Sequence, residues 1–364
     1  MREKRSLVAV LDDHHDRRSV TAVVEIKWVE DFEFFERNYV ENWLFSGLPA
    51  NNGSPQDSIS EIYCVAGNTA WLSAQALNTL PRERSSAVFV LSDEQLVHNY
   101  AMHRKSRLIF RNYFQPKWWH SRVFTLPLGY NPGFVEILHR SGTGWNKEHA
   151  WAFAGEIKGP RQSIINRFSE VTPGFVYSAD SFNDPHGLSS DKLFEVYAKS
   201  HFVPCPFGNK SPDSFRVMEA LEAGAIPVTV EFLKTDHNRL IFGDHPFIVG
   251  KDWADAASIV SRLIKSPEEL EKRHRQVSEW YVSYKARLKR DLAQLLSGKT
   301  RDALESEQFA YQRRASLHPL IHWKYLNHYS RTLRELRFNV KRLSDLVYLE
   351  VKHFLGSAFK IPKP

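Results

Sequence analysis

Short runs of β-branched and aromatic residues alternate along most of the chain with longer amphipathic stretches, the pattern of parallel strand–helix units. In the first half the runs are Val20–Ile26, Ile59–Val65, Ala87–Leu91, Arg107–Phe110 and Val123–Leu126. Apolar residues recur at helical spacing between them, over Glu30–Phe45, Asn68–Leu80 and Asp93–Met102. Asn131–His149, which contains Ser141-Gly-Thr-Gly144, reads as a linker. A second series then begins, with strands at Ala150–Ala154, Phe175–Ser178, His201–Cys205, Ile226–Val230 and Phe247–Val249. The spacing predicts helices over Pro160–Glu170, Ser189–Lys199, Asp213–Ala223 and from Asp252 onward, and the charged stretch Pro267–Leu296 reads as one or two exposed helices. After Gly298 the pattern is helical to about residue 355 and contains no strand. The expected architecture is α/β, with two Rossmann-like units over residues 1–140 and 146–298 and a helical tail over 299–364.

Composition narrows the class. With 42% hydrophobic and 25% charged residues in 364, wholesale disorder is excluded and the chain is long enough for two domains. The two cysteines, Cys64 and Cys205, lie far apart and outside any C-x-x-C pair, so neither a disulfide framework nor a cysteine zinc site is expected. No run reaches the ~20 apolar residues of a membrane span, and no signal peptide is visible, so the expected location is cytoplasmic or peripheral on the cytoplasmic face of a membrane. The net charge of +7 is uneven: residues 311–364 carry 11 Lys and Arg against 3 acids, and the rest sums to −1. A near-neutral body without a recognised nucleic-acid module argues against a nucleic-acid partner.

The segment richest in chemistry is Cys205-Pro-Phe-Gly-Asn-Lys-Ser-Pro-Asp-Ser-Phe-Arg-Val-Met-Glu-Ala-Leu-Glu-Ala-Gly-Ala-Ile-Pro-Val228. A strand ends at Cys205, a loop leads to a helix with Asp213 as its expected N-cap, and Gly224 ends that helix before the next strand. Ligands of open α/β sheets bind beyond the carboxyl ends of strands, and a helix N-terminus offers N–H groups to an anion. Ser214 and Arg216 add a hydroxyl and a guanidinium that can bridge phosphate oxygens. Glu219 has two readings: acceptor for both hydroxyls of a ribose, or partner of Arg216 in an i,i+3 salt bridge.

The pattern C-P-x-G, a spacer, then S-x-R-x-x-E-A-x-x-A-G-x-I-P-V resembles the donor-binding signature of exostosin-like glycosyltransferases (glycosyltransferase family 47), which have the GT-B fold. Trp151-Ala-Phe-Ala-Gly155 followed by Gly159-Pro-Arg161 is similar to the F-x-G…R element that opens their nucleotide-binding domain. Leu108-Ile-Phe-Arg-Asn-Tyr113 and Thr125-Leu-Pro-Leu-Gly-Tyr130 resemble the R-x-Y…P-L-G element of the ribitol-xylosyltransferase-like branch. The chain departs from animal-like members at Ser214-Phe-Arg216 and Gly224-Ala-Ile-Pro227, and its glutamate–proline-valine ending is shared with the GT-B fucosyltransferases of family 10.

The resemblance implies a transferase that takes a sugar from a nucleotide sugar, most simply UDP-linked, and passes it to a glycan, lipid-linked glycan or surface polysaccharide. Gly155, Arg161, Ser214, Arg216 and Glu219 are the donor-side candidates, and Arg111 and Tyr113 the acceptor-side ones. No Asp-x-Asp occurs, so an inverting, metal-independent transfer is expected, with no cofactor and the nucleotide sugar as co-substrate. Asp93 and Glu94, which follow a strand directly, are the candidate general base, with helix capping as the competing role for Asp93. The Asp12-Asp-His-His-Asp16 cluster is second choice against a solvated loop, and Trp118-Trp119 reads as a packed pair or a sugar platform. In the tail, apolar residues recur from Leu336 to Phe354 at helical spacing with basic residues between them, which suits docking onto the body or contact with an anionic membrane. Two rivals stand beside this reading: a family-10-like GDP-fucosyl transferase and a non-catalytic polyanion-binding protein.

Overall fold

The computed structural model describes residues 24–29, 36–48, 58–66, 86–94, 106–116, 122–140, 146–181, 184, 186–208, 211–299, 304, 307–318, 320–321 and 324–325. Two five-stranded sheets, parallel throughout, form its frame. The first takes β1 (Glu25–Trp28), β2 (Glu61–Ala66), β3 (Ser86–Leu91), β4 (Leu108–Arg111) and β5 (Val123–Thr125) in sequence order. The second is built from β6 (His149–Glu156), β7 (Gly174–Ala179), β8 (Ser200–Pro204), β9 (Ile226–Val230) and β10 (Ile248–Gly250), in the order β7-β6-β8-β9-β10. The order in which successive strands are added reverses between β6 and β8, with every strand still parallel, and that is the crevice where open parallel sheets take ligands.

Sequence dictates which strands are central. All six residues of β3 and all five of β9 are buried, as apolar strands covered on both faces must be. The edge strand β7 alternates exposed and half-buried positions. On one face of the first sheet Phe89, Phe110 and Phe124 meet at 6.2 and 6.3 Å and join a core continuous with the second half. Val65, Val88, Val90, Ile109 and Val123 form a separate cluster on the other. Strand β1 sits later than the apolar run Val20–Ile26, because parallel pairing puts Glu25 opposite Glu61. The stretch read as one helix over 30–45 is described only from residue 36, as a single turn over Arg37–Tyr39 that widens to a π turn over Val40–Leu44.

The last described elements tie the halves together. The 30-residue helix Pro267–Leu296, about 45 Å long at 1.5 Å per residue, is continuous where the sequence allowed one or two, and it buries Val277, Tyr281, Tyr284, Leu288 and Leu292 instead of lying exposed. Assigned by sequence to the second unit, it also reaches the first, where the Leu296 carbonyl accepts from Ile59 N–H at 2.6 Å. Lys289 Nζ donates to the carbonyls of Leu44 and Ser46 at 3.2 and 2.6 Å, and to that of Trp43, closing the end of the π turn. Burial lowers its pKa to about 8. Lys289→Met would strand these acceptors and should cost about 2 kcal/mol, read as a lower thermal midpoint with unchanged ligand affinity.

The helix Glu307–Leu317 docks between the halves, with Gln308 Nε2 bonded to the Thr125 carbonyl at 2.7 Å and Gln312 Nε2 to that of Leu240 at 2.7 Å. The start of the tail therefore docks onto the body. The stretch Leu336–Phe354 lies outside the described residues, as do Asp12–Asp16, Trp118-Trp119 and Gly142–Gly144. Among the described residues no helix is long and apolar enough to cross a membrane.

Candidate active site

The carboxyl ends of both sheets open on one cleft of about 480 Å³. Its first wall is the turn after β3, the turn after β4 and the segment after β5; its second is the end of β6, the loop after β8 and the helices that follow them. A second groove, of about 620 Å³, lies between the helices Pro160–Phe168 and Trp253–Ile264 and takes no residue from a strand end.

The second wall is cationic at its centre. Arg216 sits in the first turn of the helix Phe215–Glu222 and donates through Nε and Nη2 to the Ala154 carbonyl at 3.1 and 2.9 Å. Its guanidinium carbon stands 5.0 Å from the ring centroid of Phe153, which fixes the plane of the fork. Gly155 follows with φ +134°, and a Cβ there would overlap Arg216 Nη2, so glycine is required both by the backbone and by the arginine. Arg161, at the start of the neighbouring helix, donates to the carbonyls of Glu156 and Phe207 at 3.1 and 3.3 Å. Its pKa is lowered by burial and, secondarily, by Arg216. Among the described residues neither arginine has a carboxylate within 4 Å, so two half-buried cations face the cleft with backbone carbonyls as partners. An anion would relieve both.

The helix N-cap is Ser214, not Asp213. The Ser214 side chain makes no cap bond and lines the cleft. Asp213 fails as a cap because two other groups hold its carboxylate: Ser211 Oγ donates to Oδ2 at 2.5 Å and His237 Nε2 lies 3.3 Å from Oδ1. Gly224 ends the helix at φ +71°, as its sequence position suggested. Glu219, only 5% exposed, does not pair with Arg216; its Oε1 accepts from the Asn131 N–H at 3.3 Å, across the cleft. Burial raises its pKa, against a smaller opposing pull from Arg216.

On the first wall the sequence expectation needs correction. Asp93 is fully buried and pairs with Arg111 Nη2 at 3.2 Å, and Arg111 is equally buried. Neither lines the cleft, so the pair holds the ends of β3 and β4 together. Glu94 and Tyr113, the residues beside and two beyond them, do line it. Glu94 Oε1 accepts from Ser211 N–H at 3.2 Å, a contact between the two walls. The motif glycine Gly208 makes room for it, since a Cβ there would strike Glu94 Oε1. Tyr113 sits at φ 60°, and burial with the surrounding acids Glu36, Glu94, Asp213 and Asp93 keeps its phenol protonated. Sequence reasoning missed Ser92 and Asn131, both in the cleft lining. No local signal marks Ser92, whose φ of 51° is unusual for a serine.

Seven of the nine candidates therefore share one cleft: Glu94, Tyr113, Gly155, Arg161, Ser214, Arg216 and Glu219. Residues 180–300 match a family described as the RXYLT1 C-terminal domain, a segment that includes Ser214, Arg216 and Glu219. No curated protein matches the chain in sequence. Among solved structures, an α1,3-fucosyltransferase overlaps 64% of this chain and 79% of its own at 10% identity and a TM-score of 0.38. Anabaena Alr3699/HepE, solved with UDP and glucose, overlaps 65% and 78% at 11% identity and a TM-score of 0.43. A Rickettsia africae glycosyltransferase overlaps 65% and 76% at 8% identity and a TM-score of 0.40. Those overlaps are too loose to carry over a ligand or a reaction. In its motif and in the matched segment, the chain is similar to the exostosin-like glycosyltransferases.

Proposed function

We propose that the protein is a glycosyltransferase that binds a nucleoside-diphosphate sugar, most simply UDP-linked, and transfers the sugar with inversion to a glycan, lipid-linked glycan or surface-polysaccharide acceptor. The observation that carries the reading is the pair Arg161 and Arg216, side by side beyond the ends of β6 and β8 without a carboxylate partner among the described residues. A diphosphate is the anion whose geometry suits two guanidinium forks and the N–H groups of a helix start.

Transfer breaks the bond between the anomeric carbon and the phosphate oxygen, and its electron pair stays with the nucleoside diphosphate. The charge that develops there faces Arg161, Arg216 and the first turn of Phe215–Glu222, which act where a metal would otherwise be needed. Glu219, bonded to the Asn131 N–H at the cleft wall, accepts the ribose hydroxyls in this reading. The opposite wall, with Ser92, Glu94 and Tyr113, faces the acceptor. The surplus positive charge of residues 311–364 fits an enzyme working at an anionic membrane surface.

Thermal-shift screening against UDP-, GDP- and CMP-sugars, with EDTA present, tests the reading. A UDP-sugar at 100 times its Kd should add about 2.7 kcal/mol to stability and raise the midpoint by several degrees. A shift with GDP-sugars alone would reassign the nucleotide, and no shift with any sugar nucleotide would contradict the proposal.

A further inference from the structure

Glu36 is the most anomalous acid in the described structure. It stands immediately before the turn Arg37–Tyr39, is 1% exposed and, among the described residues, has no basic side chain within 4 Å. Its Oε1 accepts a hydrogen bond from Ser92 Oγ, and its Oε2 has no hydrogen-bond partner among the described residues. A buried carboxyl oxygen without a partner destabilises the fold, a cost that a leucine or methionine of similar volume would not incur. Burial raises the pKa of this group, against the opposing pull of the Ser92 hydrogen bond, so Glu36 is a stronger base than a surface glutamate.

Ser92 connects that carboxylate to the cleft. It follows β3 directly, lines the cleft on the wall opposite Arg161 and Arg216, and occupies the left-handed region at φ 51°. A serine is strained in that region, and the conformation is held by a specific bond: Asn112 Oδ1 accepts from Ser92 N–H at 3.2 Å. Asn112 is anchored in turn through Nδ2 to the carbonyls of Leu126 and Pro127 at 3.4 and 3.1 Å. Three strand ends thus cooperate to hold one hydroxyl between a buried base and the open cleft. The alternatives are engaged elsewhere: Asp93 is paired with Arg111, and Glu94 Oε1 accepts from Ser211 N–H on the other wall.

We propose that Ser92 and Glu36 form the proton-accepting pair of the transfer, with Ser92 Oγ touching the acceptor hydroxyl and Glu36 receiving the proton through it. The inference rests on the transferase reading above. As the acceptor oxygen bonds to the anomeric carbon, its proton passes to Ser92 Oγ and the serine proton passes to Glu36 Oε1. The nucleoside diphosphate leaves with the electron pair of the broken bond, and Glu36 returns its proton to water when products leave.

The test follows nucleotide release from a UDP-sugar, with water or a mixed oligosaccharide pool as acceptor, beside calorimetric donor affinity. Glu36→Gln and Ser92→Ala should each lower kcat by roughly 10²-fold or more while donor Kd changes less than twofold. The double variant should be no slower than the slower single one, because both act on one proton path. Glu36→Asp should retain part of the rate. Should Glu36→Gln fail to fold, Ser92→Ala, which removes only the hydroxyl, decides alone. Both variants within about fivefold of the wild-type kcat overturn the pair, as does loss of turnover in Glu94→Gln with Glu36→Gln still active. A wild type that binds no sugar nucleotide, or binds one and never releases nucleotide, overturns the transferase reading itself, and the pair falls with it.

Discussion

Replacing Arg216 by alanine should slow nucleotide release from the sugar nucleotide by roughly 10²–10³-fold, the loss expected for one positioned charge donor at a leaving group. The guanidinium is held along one edge by two bonds to the Ala154 carbonyl and on one face by Phe153, so its orientation is set before any ligand arrives. A donor fixed in advance spends nothing on reorganisation as phosphate charge develops, which is why its removal weighs on turnover more than on folding. Arg216→Lys should recover little. An ammonium can take the place of the charge but cannot bond one carbonyl through two nitrogens while presenting the rest of a planar fork to a diphosphate. Steady-state release, with midpoint temperature as the check on folding, measures both variants.

Gly155→Ala should reproduce most of that loss without deleting a polar group. The new methyl would occupy the space of Arg216 Nη2, at a backbone φ of +134° that residues with a Cβ rarely adopt. The obstructing atom is the far end of a side chain, so the guanidinium gives way before the strand does. Turnover should fall to within about threefold of Arg216→Ala, with a stability cost on the order of 1–3 kcal/mol. In the double variant the effects should fail to add, because a displaced arginine cannot be lost twice. Full additivity would mean that Gly155 acts on the donor independently of Arg216.

The elements best read from sequence are those whose pattern is local. Ile226–Val230 and Pro267–Leu296 lie at their expected bounds, because an unbroken apolar strand and a proline-led amphipathic helix carry their own limits. The donor-side candidates Gly155, Arg161, Ser214, Arg216 and Glu219 come together because β6 and β8 are neighbours where the strand order reverses, a rule of parallel topology. What went unread depends on partners far along the chain. Asp213 and Ser214 are equally good caps by type, and only His237 and Ser211 decide which one turns away. Asp93 and Glu94 look alike after a strand, yet Arg111, 18 residues on, draws the first into the core. Glu36 sits in a stretch with helical spacing and no motif; only its burial against Ser92 singles it out.

In the proposed function, Arg161 and Arg216 together hold a nucleoside diphosphate at the junction of the two sheets. Calorimetric titration of UDP into the wild type and into Arg161→Ala/Arg216→Ala, with EDTA present and at two salt concentrations, measures it most directly. Saturable one-to-one binding to the wild type that weakens with salt is expected, with at least about 100-fold weaker binding to the double variant, the equivalent of losing two charge-assisted contacts. Equal affinity for UDP in the two proteins would contradict it.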